Sequence, residues 1–293
     1  MSCEHPLLAA NLGKFDGKYK IKIIPKRYDQ DIKSLEEYYG HDNLLLLPCG
    51  CCAGCKISHQ REWAVRCTLE AGYYKDNCMV TLTYSDDRRP KKLIKRDLQW
   101  FIKKMRNRGI KFRYFACGEY GSKNHNCHFH IIMFGYWPED AKYEFCSGTG
   151  HPVYSSKFIS GVWNNGFVSV SEMGPGTAAY VAGYVDKKIG QDEFVLMSKR
   201  PGIGERYFRE HLFDMFAYDN LVGSFGISKI PRYGEKIADQ MWYDIEDLKA
   251  KRKKTSNLNL IQTMLEHSMS HKEEVLDFNG RIARDKLAKR KRL

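Results

Sequence analysis

KFRYFACGEYGSKNHNCHFHIIMF, residues 111–134, is the stretch on which the fold turns. Residues 111–119 and 127–134 are rich in aromatic and aliphatic side chains and read as strands. Only the polar link YGSKNHN, residues 120–126, lies between them, which predicts an antiparallel hairpin. Upstream, CMVTLTY (residues 78–84) is rich in β-branched side chains and predicts a buried strand, ended by Ser85, Asp86, Asp87 and Pro90. Residues 93–108 follow as a helix. Ile94, Leu98, Phe101, Ile102 and Met105 form its apolar stripe, Lys95, Arg96, Lys103, Lys104, Arg106 and Arg108 crowd the rest, and Gly109 suits its C-terminal stop. The order predicts an α+β fold: a ferredoxin- or RRM-like antiparallel sheet with helices packed on one face.

The flanks divide the chain. Residues 1–47 read as an N-terminal arm packed on the core, with a strand at residues 19–24 that Pro25 stops. Residues 48–235 read as the main domain. Within it, residues 58–74 predict a helix capped by Ser58, with Trp63, Ala64, Cys67, Ala71 and Tyr74 at helical spacing. Residues 135–175 read as loops with a short strand near residues 167–171, and residues 177–189 as a helix despite Gly183. Residues 236–293 form a helical, basic C-terminal extension, whose last stretch (residues 281–293) reads as a solvated tail with an attraction for DNA.

Composition bounds the function. The 293 residues are 43% apolar, which excludes wholesale disorder. Lys plus Arg total 48 against 35 for Asp plus Glu, a net charge of +13, and aromatics reach 13%; this balance points to nucleic acid as partner. No apolar run approaches the roughly 18 residues of a membrane span, so no membrane association is expected. The first residues lack an export pattern, so the ten cysteines are expected to be reduced.

Three constellations carry chemistry. His128 and His130 flank Phe129 in a strand, so both imidazoles lie on one face, as two ligands of one metal ion must. Glu119, at the end of the preceding strand, can supply a third ligand and leave positions open for a phosphate oxygen. His125 is a rival, and two surface histidines on an edge strand are the plainer alternative. Second, Tyr180 and Tyr184 are four apart on a helix, with Lys187 and Lys188 one turn further. Phenols beside ammonium groups suit phosphoryl transfer through a covalent enzyme intermediate. An amphipathic helix with tyrosines at its border is the alternative. Third, Cys49, Cys52 and Cys55 form a C-x2-C-x2-C run that suits structural Zn²⁺, with His59 or Cys67 as fourth ligand and Cys51 as a substitute for Cys49. A tight Gly/Cys turn packing Trp63 is the bland reading.

Together MVTLTY (79–84), GEYG (118–121), HFH (128–130) and YVAGYVDKK (180–188) follow the order and kind of the HUH endonuclease motifs. Over roughly residues 48–190 the chain resembles the two-tyrosine replication initiators of Microviridae single-stranded DNA phages, gokushovirus type. The resemblance implies a rolling-circle initiator that nicks and rejoins single-stranded origin DNA through a 5′-phosphotyrosine intermediate. It implies Mg²⁺ or Mn²⁺ on His128, His130 and Glu119, and Tyr180 and Tyr184 as nucleophiles. It also implies host helicase and DNA polymerase as partners in the cytoplasm of an infected bacterium. One departure is Cys127, where many relatives have Pro before the first histidine. The rival expectations are an HUH transposase and a non-catalytic nucleic-acid-binding module. For DNA contacts, the basic helix with Lys111 and Arg113 offers charge, and Trp137, Tyr154 and Trp163 offer rings for stacking.

Overall fold

The structure is a computed structural model that describes residues 3, 5–16, 18–25, 32–121, 126–148, 150–183 and 193–252. Among these, one compact unit holds the residues up to Ser58 with those from Glu246 on, and a second holds His59–Ile245.

In the first unit, β1 (Leu7–Phe15) pairs antiparallel with β2 (Lys18–Ile23) and with β3 (Leu44–Leu47), giving the order β2-β1-β3. Helix α1 (Ile32–Tyr39) adds Leu35 and Tyr39 to a small core of Ala10, Ile24 and Leu44. The strand expected at residues 19–24 is therefore one of three.

Helix α2 (Ala53–Ala71) starts five residues earlier than its apolar spacing predicts, and Ser58 lies inside it. The cap is a cysteine instead: the Cys52 sulfur accepts the Cys55 N–H at 3.4 Å, the role a Ser oxygen usually takes. Then come β4 (Asn77–Tyr84), α3 (Lys95–Asn107), β5 (Arg113–Tyr120), β6 (Cys127–Phe134), β7 (Lys142–Cys146), β8 (Pro152–Ser155), α4 (Lys157–Trp163) and β9 (Gly166–Glu172). The second unit ends with α5 (Pro175–Ala182), β10 (Phe194–Met197), α6 (Glu205–Glu210), α7 (Leu212–Tyr218), β11 (Leu221–Gly223), β12 (Gly226–Ser228) and α8 (Arg232–Gln240).

Seven strands form one antiparallel sheet in the order β10-β5-β6-β4-β9-β8-β7. Its centre, β5-β6-β4-β9, is built by the chain order β4-α3-β5-β6-α4-β9, the split β-α-β plan of the ferredoxin-like fold. The hairpin β7–β8 and helix α4 occupy a segment that reads as loop in the sequence, because its Gly and aromatic residues hide the short periodicity. On one face Val80, Leu82, Phe129 and Ile131 bury against Leu98, Phe101 and Met105 of α3 and Ile159, Val162 and Trp163 of α4. On the other, Phe115, Cys117, Ile132 and Phe134 pack with Cys67 of α2 and Ala178 and Val181 of α5.

Candidate active site

Alternation along β6 sends Phe129, Ile131 and Met133 into the α3–α4 core and turns His128 and His130 to the opposite face. The hairpin register sets Glu119 opposite His128. Gly118 makes room beside it: a Cβ there would stand 2.9 Å from the Phe194 ring on β10. One carboxylate oxygen, Glu119 Oε1, lies 2.6 Å from His128 Nε2 and 3.1 Å from His130 Nε2. The three ligand atoms cluster within 4.8 Å of one another.

The outer nitrogens are also engaged. His128 Nδ1 is 3.0 Å from the Asn126 carbonyl, which can only accept, so that nitrogen carries the proton. His130 Nδ1 is 3.0 Å from the Thr81 hydroxyl on β4. Both Nε2 atoms are thereby aimed at one point. Cis ligands at about 2.1 Å on an octahedral ion stand roughly 3 Å apart, so the separations fit a small divalent cation. Glu119 is buried, which disfavours its charge. The hydrogen bonds and positive charge of His128 and His130 outweigh that and hold its carboxyl down at about 2.

Helix α5 covers the sheet beside this triad. Pro175 opens it, and the Gly174 N–H donates to Thr177 Oγ1 at 2.7 Å. Ala178 and Val181 anchor it to the sheet. Tyr180, 38% exposed, meets His130 edge-on with ring centroids 5.2 Å apart. The structure thus brings Tyr180 to the imidazoles. Tyr184, Lys187 and Lys188, like the rival ligand His125, lie outside the described residues.

The cysteine run forms a second cluster with a partner the spacing does not predict. Cys3, Cys49, Cys52 and Cys55 place their sulfurs within 4.8 Å of one another. Neither expected fourth ligand joins them. His59 Nε2 accepts the Trp63 indole N–H at 3.1 Å, and Cys67 is buried between α2 and the large sheet. Cys51 is exposed and meets Cys49 at 3.6 Å from outside the group of four, so it does not replace it. Burial opposes ionisation of Cys49, but the backbone N–H groups of Cys51 and Cys52 overcome it and bring the thiol down to about 6.

Two expectations about DNA contacts change. Trp163 is core, and Trp137 and Tyr154 pack half-buried against that core and each other, because the β7–β8 hairpin and α4 close over them. The basic helix α3 lies on the face opposite the imidazoles. Sequence reasoning missed Phe167 instead. Glu119, His128, Thr83 and Phe167 stand in one cross-strand row over β5, β6, β4 and β9, so all four face the same side. Phe167 is 71% exposed there. Gly166 precedes it, where a Cβ would run into the Thr83–Ser85 backbone.

Comparison with known proteins agrees with this frame. The family model for the phage replication-associated protein ORF2 matches residues 77–189. The chain is 31% identical to the replication-associated protein ORF2 of Spiroplasma virus 4, over 94% of this chain and 93% of that protein. It is also 31% identical to the replication-associated protein VP4 of Bdellovibrio phage phiMH2K, over 79% and 78%. No solved structure matches. With its ferredoxin-like sheet and near full-length similarity to these phage proteins, the chain belongs to the Microviridae replication-associated protein family.

Proposed function

We propose that this protein is a metal-dependent nickase and strand transferase that starts rolling-circle replication of a phage genome. The observation that carries the reading is the edge-on approach of Tyr180 to His130, 5.2 Å between rings, beside the Glu119–His128–His130 triad. Glu119 Oε1 and the two Nε2 atoms are the donors for Mg²⁺ or Mn²⁺, which when bound supplies Lewis-acid polarisation of the scissile phosphate. Tyr180 gives its phenolic proton to solvent or a neighbouring base, and its oxygen attacks phosphorus. The P–O3′ bond breaks, leaving a 3′-hydroxyl primer and a 5′-phosphotyrosine. Tyr184 serves the second transfer, with Lys187 and Lys188 holding phosphate charge. The covalent bond conserves phosphodiester energy, so closing the circle needs no nucleotide cofactor.

In this reading residues 48–235 are the nickase domain, single-stranded origin DNA is the substrate, and host helicase and polymerase extend the primer in the bacterial cytoplasm. Among the described residues no helix is long and apolar enough to cross a membrane. Cys49, Cys52 and Cys55 are read as ligands of a structural Zn²⁺.

The test uses 3′-labelled single-stranded origin DNA with Mn²⁺. A labelled protein band that survives denaturation is expected. Changing both Tyr180 and Tyr184 to Phe, or His128→Ala, should abolish it. DNA that is bound yet never cut under any divalent ion would leave a binding module in place of an enzyme.

A further inference from the structure

The cysteine cluster extends the zinc reading just given, and rests on it. We propose that Cys3 completes a mononuclear tetrathiolate Zn²⁺ site with Cys49, Cys52 and Cys55, and that this ion ties the segment before β1 to the start of α2.

Register brings the distant cysteine in. β1 and β3 pair as Leu7↔Leu47 and Leu8↔Leu46; continued outward, the same register sets residue 3 opposite residue 51, the middle of the cysteine run. The Cys3–Cys52 and Cys49–Cys55 sulfur separations are both 3.9 Å. A tetrahedral ion with Zn–S bonds of about 2.3 Å has sulfur–sulfur edges of about 3.8 Å. The match is to one ion. An iron–sulfur cubane binds each thiolate to a different iron and spreads the sulfurs further apart. A disulfide would draw two of them to about 2 Å, and all four are free thiols.

The surroundings favour thiolates. The Cys49 N–H donates to Cys3 Sγ at 3.3 Å, the Cys52 N–H to Cys49 Sγ at 3.4 Å, and the Cys55 N–H to Cys52 Sγ at 3.4 Å. Such N–H groups hold a thiolate in a fixed direction. Cys52 and Cys55 also sit at the N-terminus of the 19-residue helix α2, where the helix dipole stabilises negative charge. Cys3 is buried, 5% exposed. The apolar core of this unit, centred on Ala10, Ile24 and Leu44, is small. Units of that kind commonly take a metal as part of their folding energy.

The experiment is zinc K-edge X-ray absorption on the full-length wild-type protein, together with its metal content. One zinc per chain surrounded by four sulfurs at about 2.3 Å is expected. In a cobalt-substituted sample, Cys3→Ser should weaken the thiolate-to-cobalt charge-transfer band and lose metal to a chelator first, while Cys51→Ser should match wild type. A shell of three sulfurs and one nitrogen or oxygen would overturn the role of Cys3 and leave the three-cysteine zinc reading standing. Protein that takes up no zinc on reconstitution, or that binds iron with sulfide, would overturn both. The absorption measurement needs no variant, so a Cys3→Ser chain that fails to fold does not shield the proposal.

Discussion

Each imidazole of the triad is held from behind. Asn126 fixes His128 and Thr81 fixes His130, so both Nε2 atoms meet at Glu119 Oε1. Without a metal, a proton must bridge the 2.6 Å gap between His128 Nε2 and the carboxylate; a divalent ion replaces that proton. Orienting partners of this kind contribute about 10- to 100-fold to metal affinity. Thr81→Val is therefore expected to weaken Mn²⁺ binding by about that factor while leaving the thermal unfolding midpoint within a few degrees of wild type. A manganese titration followed by electron paramagnetic resonance measures it; an unchanged affinity would show that Thr81 does not orient His130. His128, His130 and Glu119 were legible from alternation and hairpin length alone. Thr81 was not, because its partner is set by the β4–β6 register, Thr81↔His130, which no local pattern encodes.

At the scale of elements, the sheet sorts charge and chemistry onto different faces. α3, with its basic residues, packs through Leu98, Phe101, Ile102 and Met105 on one side. The imidazoles, Tyr180 and Phe167 share the other. Neighbouring strands are about 4.8 Å apart, so Phe167 stands two strands, roughly 10 Å, from His128 along the row. An exposed ring at that reach suits stacking on a base flanking the cut phosphate. Phe167→Ala is expected to weaken single-stranded DNA binding by about 1–3 kcal/mol, roughly 5- to 150-fold. The nicking rate at saturating DNA should hold. Fluorescence anisotropy with a short oligonucleotide gives the first and single-turnover cutting the second; wild-type affinity would remove Phe167 from the DNA path. The strand around residues 167–171 was readable in the sequence. Which of its side chains stays uncovered was decided by the packing of its neighbours.

Across the whole molecule, the +13 charge makes phosphate contact the main source of sequence-independent affinity. Single-stranded DNA binding should fall as salt rises, with a log–log slope of about −0.7 for each phosphate neutralised. A slope near zero in an anisotropy titration over a range of KCl concentrations would show that the charge excess is not used on DNA. The sequence by itself determined the four central strands and α3, since residue periodicity is a local property. It also determined the HFH ligand pair and the thiol-rich turn. The tertiary structure decided what depends on register and coverage. Cys3 rather than His59 or Cys67 joins the thiols because β1 pairs with β3. α2 begins at Ala53 because a sulfur caps it. Trp163 is core and Phe167 is surface because α4 covers one face of the sheet at that point and leaves the other open. Such contacts join residues tens of positions apart, and their energies exist only once the sheet is assembled.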